Sequence, residues 1–180
     1  MKKIRVVAVL LILIITLVFS FGIRIGNFSI GKVKDFNNTY NKDIENSVFY
    51  KEYYTSDKLL VINLWATWCK PCIEEMPALN RLKDKYKNSN DVEFLSLSLD
   101  NDSLKIKKFI NNQNFHFRDI TLDNIKYRDT ILALLENKRM SIIKTQSIPK
   151  TFLIRNMKLI MKIDGKLNKE DFEVLERTIN

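Results

Sequence analysis

Apolar residues along this chain fall into runs of three kinds. The longest is residues 6–23, VVAVLLILIITLVFSFGI, which holds 18 positions without a charge. A shorter, nearly continuous run occupies residues 59–65 (LLVINLW), and its length suits a strand buried on both faces of a sheet. Residues 92–99 (VEFLSLSL) read as a second strand. The third kind has helical spacing. Ile73, Met76, Leu79, Leu82 and Tyr86 recur every three or four positions and give one apolar face to a helix near residues 71–87. Pro71 is tolerated at its start, because first-turn N–H groups lack helical partners. Pro77, further in, should kink it.

The rest of the chain is read the same way. Residues 103–113 and 124–138 are predicted helices, the latter with Ile131, Leu134 and Leu135 toward the core. Residues 115–122 hold a short strand. Residues 151–155 and 158–163 form a hairpin around Asn156-Met157. After an Asp164-Gly165 turn, a last helix over 168–179 faces Phe172, Leu175 and Ile179 inward. The aromatic stretch 47–54 fits a strand or a helix equally. Alternating strands and helices followed by a hairpin imply an α/β fold, with a central mixed sheet flanked by helices. The predicted partition is 1–24 as membrane anchor, 25–57 as tether and lead-in, and 58–180 as the folded domain. Residues 25–45 carry many Asn and Lys and read as tether with a short extended stretch.

The apolar N-terminal run changes the picture of compartment. Eighteen helical residues span about 27 Å, close to the thickness of bilayer hydrocarbon. Lys2, Lys3 and Arg5 precede the run and Arg24 follows it. The leading basic flank keeps the N-terminus in the cytoplasm and places the rest outside. A cleaved signal peptide would have a shorter apolar core and an Ala-x-Ala-like site, whereas this run ends Ser20-Phe21-Gly22-Ile23-Arg24, without an Ala-x-Ala. The expectation is a single N-terminal anchor in a bacterial-type cytoplasmic membrane, through residues 6–23, with the domain extracytoplasmic. Net charge adds little. It is +9 from 30 basic and 21 acidic residues. Without the four basic residues around the anchor, 26 stand against 21, and the lysines are interspersed with acids. This is a solvated surface, not a nucleic-acid footprint.

The chain has two cysteines, Cys69 and Cys72, and one histidine, His116. That excludes a multi-disulfide framework and a zinc ribbon. Cys69-Lys70-Pro71-Cys72 stands where a predicted buried strand passes into a helix. Cysteines three apart on a helical turn can reach disulfide distance. The first of them meets unpaired N–H groups and the positive end of the helix dipole, which favour the nucleophilic thiolate. Lys70 adds positive charge in the same sense. Cys72, one turn in, is placed to attack a mixed disulfide on Cys69. Cys69 is therefore the expected attacking residue and Cys72 the resolving one.

Residues 61–79, VINLWATWCKPCIEEMPAL, resemble the active-site strand, loop and helix of the thioredoxin superfamily, and most closely its membrane-anchored TlpA/ResA-like branch. Residues 147–154, SIPKTFLI, resemble that family's cis-proline segment and following strand, so the resemblance covers about residues 58–180. It implies a thioredoxin fold and a thiol-disulfide oxidoreductase acting on exported proteins, with no cofactor beyond the Cys69–Cys72 disulfide. It implies a cis Pro149 near the cysteines, and an Ile148 backbone able to pair with an extended substrate. Trp68 becomes a flat platform beside Cys69 in the substrate groove, and Trp65 a core residue. Lys70 and Pro71 tune the thiolate. Glu75 matches a glutamate of the ResA-like branch and takes the proton-handling role, since the acid of ordinary thioredoxins is replaced here by Asn63. Glu74 is expected at the surface.

The resemblance further implies a reductant recharged by a membrane electron partner, with cytochrome c maturation as the service. Thiolate stabilisation by Lys70 and the dipole pulls the other way, toward a disulfide-forming oxidase or isomerase. A thiolate copper carrier is another reading, although no Met or His is grouped with the cysteines. A peroxidase of related fold would use a lone cysteine after a Thr/Pro-rich loop. A scaffold with a structural disulfide would need neither Trp68 nor a cis proline. Two departures from the family stand out. The usual hairpin before Leu59 is not evident, and the stretch 120–146 is longer and more polar than usual.

Overall fold

The computed structural model describes residues 23–25, 28–30, 42–136 and 147–180. The anchor residues 6–22 and the polar stretch 139–146 lie outside the described residues. Among the described residues, no helix is long and apolar enough to cross a membrane.

Seven strands form one sheet: β1 (Ile23–Ile25), β2 (Phe28–Ile30), β3 (Leu59–Trp65), β4 (Val92–Ser98), β5 (Arg118–Asp119), β6 (Lys150–Arg155) and β7 (Lys158–Asp164), in the order β1-β2-β7-β6-β3-β4-β5. β3 is parallel to β4, and β4 to β5. The remaining neighbours are antiparallel. All seven residues of β3 are buried, as a nearly continuous apolar run broken only by Asn63 suits in a central strand. The β6–β7 turn puts Asn156 and Met157 at φ 50° and 59°, left-handed values that suit a tight hairpin.

Helices α1 (Lys70–Lys85), α2 (Ser103–Gln113), α3 (Arg128–Glu136) and α4 (Lys169–Ile179) cover the sheet. On one face, Met76, Leu79 and Leu82 of α1, Ile106 of α2 and Leu175 of α4 pack with Val61, Trp65 and Leu153. On the other face, Ile131, Leu134 and Leu135 of α3 pack with Ile62, Leu64, Leu97 and Phe152. Caps set the helix ends. Asp102 Oδ1 accepts from the N–H groups of Leu104 and Lys105. Asn168 and Asp171 form a reciprocal capping box.

The N-terminal part joins both the sheet and its α3 face. Residues 23–25 and 28–30 supply an antiparallel strand pair that joins β7; Phe28–Ile30 falls in the stretch read as tether with a short extended segment, and Ile23 and Arg24, read as the end of the anchor, lie in β1. Residues Lys42–Asn46 form a 3₁₀ turn, and of the two readings left open for 47–54 the helical one holds, as a π-helical turn over Phe49–Tyr54. Ile44, Phe49, Tyr53 and Tyr54 are buried against the α3 face. Burying an aromatic or aliphatic side chain stabilises by about 1.5–3 kcal/mol, so these four anchor the segment firmly. The helix near 124–138 begins later, at Arg128, after a 3₁₀ turn over Leu122–Tyr127.

Candidate active site

β3 ends at Trp65, and the next four residues turn the chain into α1. That turn is braced from β4. The backbone N–H and hydroxyl of Thr67 donate to Asp100 at 2.7 Å each, and Ser98 Oγ donates at 2.9 Å. Burial pushes the Asp100 carboxyl up, but these donors outweigh it and hold its pKa below the ordinary value. Arg128 Nη1 donates to the Asp100 carbonyl at 2.8 Å, tying α3 to the same corner.

Cys69 is the N-cap of α1, and its sulfur accepts from the N–H of Cys72 at 3.3 Å. The helix N-terminus therefore points at the Cys69 sulfur, an electrostatic setting that favours a thiolate. Cys69 and Cys72 are joined as a disulfide, with Cα atoms 5.3 Å apart. Cys72 is fully buried and Cys69 is 4% exposed. Lys70 and Pro71 are exposed beside them. Trp68 is 62% exposed, a large flat apolar surface next to Cys69, whereas Trp65 is buried.

Pro149 enters from β6. The Ile148–Pro149 bond is cis. The β3–β6 register, with Leu64 opposite Lys150, brings Pro149 to the end of β3 from which the cysteine loop leaves. Ile148 is half-buried and packs against the cluster that contains both cysteines. The Pro149 carbonyl accepts from Gly165 N–H at 2.9 Å. Gly165 has φ 93°, a conformation that glycine alone adopts readily.

Glu75 stands one turn after Cys72 on α1, and so on the same side of the helix. It is 2% exposed. Its Oε1 accepts from Asn63 Nδ2 at 2.9 Å, and its Oε2 from Leu167 N–H at 3.0 Å. Burial pushes its pKa up to about 7, against the opposing pull of those two donors and of the Lys166 charge. Asn63, which the sequence offered only as the replacement for an acid, is thus the direct partner of Glu75. Its Oδ1 is buried with no hydrogen-bond partner. Glu74 is at the surface, paired with Lys166 at 2.7 Å. His116 lies away from the cysteines, its Nδ1 3.0 Å from Asp84 Oδ1. Among the described residues, no group of three or more His, Cys, Asp or Glu could hold a metal ion.

Sequence reasoning missed the contributions of Leu167 and Lys166. A backbone N–H carries no side-chain signal, and 92 positions separate Leu167 from Glu75. The Thr67–Asp100 brace was missed as well, although Asp100 closes a predicted strand.

The family model described as AhpC/TSA family matches residues 31–163. The chain belongs to the AhpC/TSA family. Its fold and its cysteine-bearing strand–helix turn are those of the thioredoxin superfamily. A thiol-disulfide oxidoreductase ResA of Bacillus thuringiensis subsp. konkukian is 34% identical over 120 residues, covering 64% of this chain and 60% of the relative. A ResA of Geobacillus kaustophilus is 32% identical over 117 residues, with the same shares covered. The chain thus spans about 60% of the length of these curated relatives. The crystal structure of a thiol:disulfide interchange protein, thioredoxin family protein from Chlorobium tepidum TLS has a TM-score of 0.53 at 21% identity, covering 68% of this chain and 80% of that one. A solution structure of a thiol:disulfide interchange protein from Bacteroides sp. has a TM-score of 0.52 at 21% identity, covering 69% and 74%. These AhpC/TSA and thioredoxin likenesses agree with the fold built above.

Proposed function

We propose that this chain is a membrane-anchored, extracytoplasmic thiol-disulfide oxidoreductase that reduces disulfides in exported proteins and is recharged by a membrane electron donor. The observation that carries the reading is the Cys69–Cys72 disulfide capping α1, with its attacking sulfur facing the N–H groups of the helix start. The ResA relatives are named thiol-disulfide oxidoreductases. The anchor reading rests on the apolar run of residues 6–22, just ahead of β1, and on the basic residues that precede it. Cytochrome c maturation is the service that the ResA-like resemblance suggests.

In the reducing direction, the Cys69 thiolate attacks one sulfur of a substrate disulfide. That S–S bond breaks, a mixed disulfide forms, and the departing substrate thiolate takes up a proton. Cys72 then loses its proton and attacks the Cys69 sulfur. The Cys69–Cys72 bond forms and the second substrate sulfur leaves. Two electrons pass from the dithiol to the substrate. Glu75, on the same side of α1 as Cys72 and half-ionised near pH 7, is suited to take the Cys72 proton. The exposed Trp68 face and the Ile148–Pro149 backbone offer a surface for an extended substrate segment.

The reduction potential of the full chain in detergent tests this reading. A value close to thioredoxin's, about −270 mV, supports a reductase. A value close to that of a strong oxidant, about −120 mV, makes the chain a disulfide-forming enzyme instead. The order of attack has its own test. Cys72→Ser should accumulate a mixed disulfide and Cys69→Ser should not; the opposite pattern reverses the roles.

A further inference from the structure

Behind the Pro149 segment, four charged side chains meet on the sheet face opposite Glu75. Lys150 Nζ donates to Glu136 Oε1 and lies 3.5 Å from Asp164 Oδ1. Lys162 Nζ lies 3.2 Å from Glu136 Oε2 and 3.2 Å from Asp164 Oδ2. Two carboxylates and two ammonium groups make the quartet neutral. The Glu136 side chain is fully covered and that of Lys150 is 6% exposed. Taking such charges out of water is costly, and an apolar pair of similar volume commonly packs at least as well. Stability alone is therefore a weak account of the quartet.

Its position supplies a better one. Lys150 directly follows Pro149. Strand alternation turns its side chain toward α3, with Phe152 and Ile154. Thr151, between them, faces Asn63 under α1. Asp164 directly precedes Gly165, whose N–H holds the Pro149 carbonyl. Adjacent residues of β7 and its following turn thus grip Pro149 by its main chain and Lys150 by its side chain, while Glu136 grips Lys150 from α3.

We propose that Lys150 is a positioning residue for the Ile148–Pro149 backbone, which its buried bonds to Glu136 and Asp164 hold ready to pair with an extended polypeptide disulfide. The proposal rests on the oxidoreductase reading above. It makes the chain selective for polypeptide disulfides over small ones, which have no main chain to pair.

The test uses the reduced full chain in detergent with two probes: insulin, a polypeptide disulfide, and 5,5′-dithiobis(2-nitrobenzoate), a small one. Wild type is compared with Lys150→Met, Lys150→Arg and the double variant Lys150→Met/Glu136→Leu. The double variant removes one charge of each sign and leaves Lys162 paired with Asp164, so its folding does not depend on a lone buried carboxylate. The expected result is an insulin rate lower by about tenfold in both methionine variants, the scale of one or two lost main-chain hydrogen bonds. The small-disulfide rate and the pH midpoint of cysteine reactivity stay at wild-type values, and Lys150→Arg keeps the insulin rate. Equal losses on both probes overturn the proposal. So does an unchanged insulin rate, or a double variant restored to wild-type selectivity. If neither methionine variant folds, the quartet holds the fold and not the segment, and the proposal is lost. A wild type inactive on both probes defeats the oxidoreductase reading itself.

Discussion

Glu75 and Glu136 are both buried carboxylates, on opposite faces of the same sheet, and they are solvated by the protein in opposite ways. Glu136 accepts from the ammonium groups of Lys150 and Lys162. Glu75 accepts from a backbone N–H and an amide, both neutral. Neutral donors compensate only part of the desolvation of a carboxylate, so its pKa rises to about 7. Cationic partners compensate the charge directly and fix it in place. One face of the sheet therefore carries a carboxyl able to gain and lose a proton near neutral pH. The other carries one built to stay where it is.

The comparison breaks most visibly at Glu136. Glu136→Gln removes the buried carboxylate that Lys150 and Lys162 share, and is expected to destabilise the fold by about 3–5 kcal/mol in urea unfolding. The same change at Glu75 should do the reverse as pH rises. A carboxyl whose folded pKa lies above its unfolded value contributes fully below the unfolded value, here 4.5, and its contribution is lost as pH climbs to about 7. Relative to wild type, Glu75→Gln should thus gain about 3 kcal/mol between pH 4 and pH 8. A flat difference across that range would mean that Glu75 does not titrate there.

Smaller changes sharpen the picture. Asn63→Leu removes a donor to the charged form of Glu75 and should raise its midpoint by about one unit, read by NMR titration of the carboxyl carbon. Lys166→Met takes away a more distant positive charge and should raise the same midpoint by less, with no measurable change in the urea midpoint, because its pair with Glu74 is exposed. If Lys166→Met moved the midpoint more than Asn63→Leu, charge and not hydrogen bonding would govern the site.

Much of this molecule can be read from its residues. The bounds of β3 and of α2 match the predicted runs at 59–65 and 103–113, since each is set by local pattern and, for α2, by an Asp102 cap. The reading failed where local pattern is silent. The aromatic stretch near 47–54 could not be assigned, because a π-helical turn has no two- or four-residue period. Residues 42–54 were read outside the folded domain, because only contacts with α3 and β6 make them core.

The sequence alone determined the chemistry available: two cysteines at a strand–helix junction, a glutamate one turn later, and a proline before a β-rich run. Those are short-range facts, fixed by spacing along one strand and one helix. Tertiary structure decided what each group would be. It set Asn63 and Leu167 on Glu75, Asp100 on Thr67, and Glu136 with Asp164 on Lys150. These partners come from different elements, some of them far apart along the chain. A pKa or a fixed backbone depends on burial and on such partners, and both exist only once the sheet has closed.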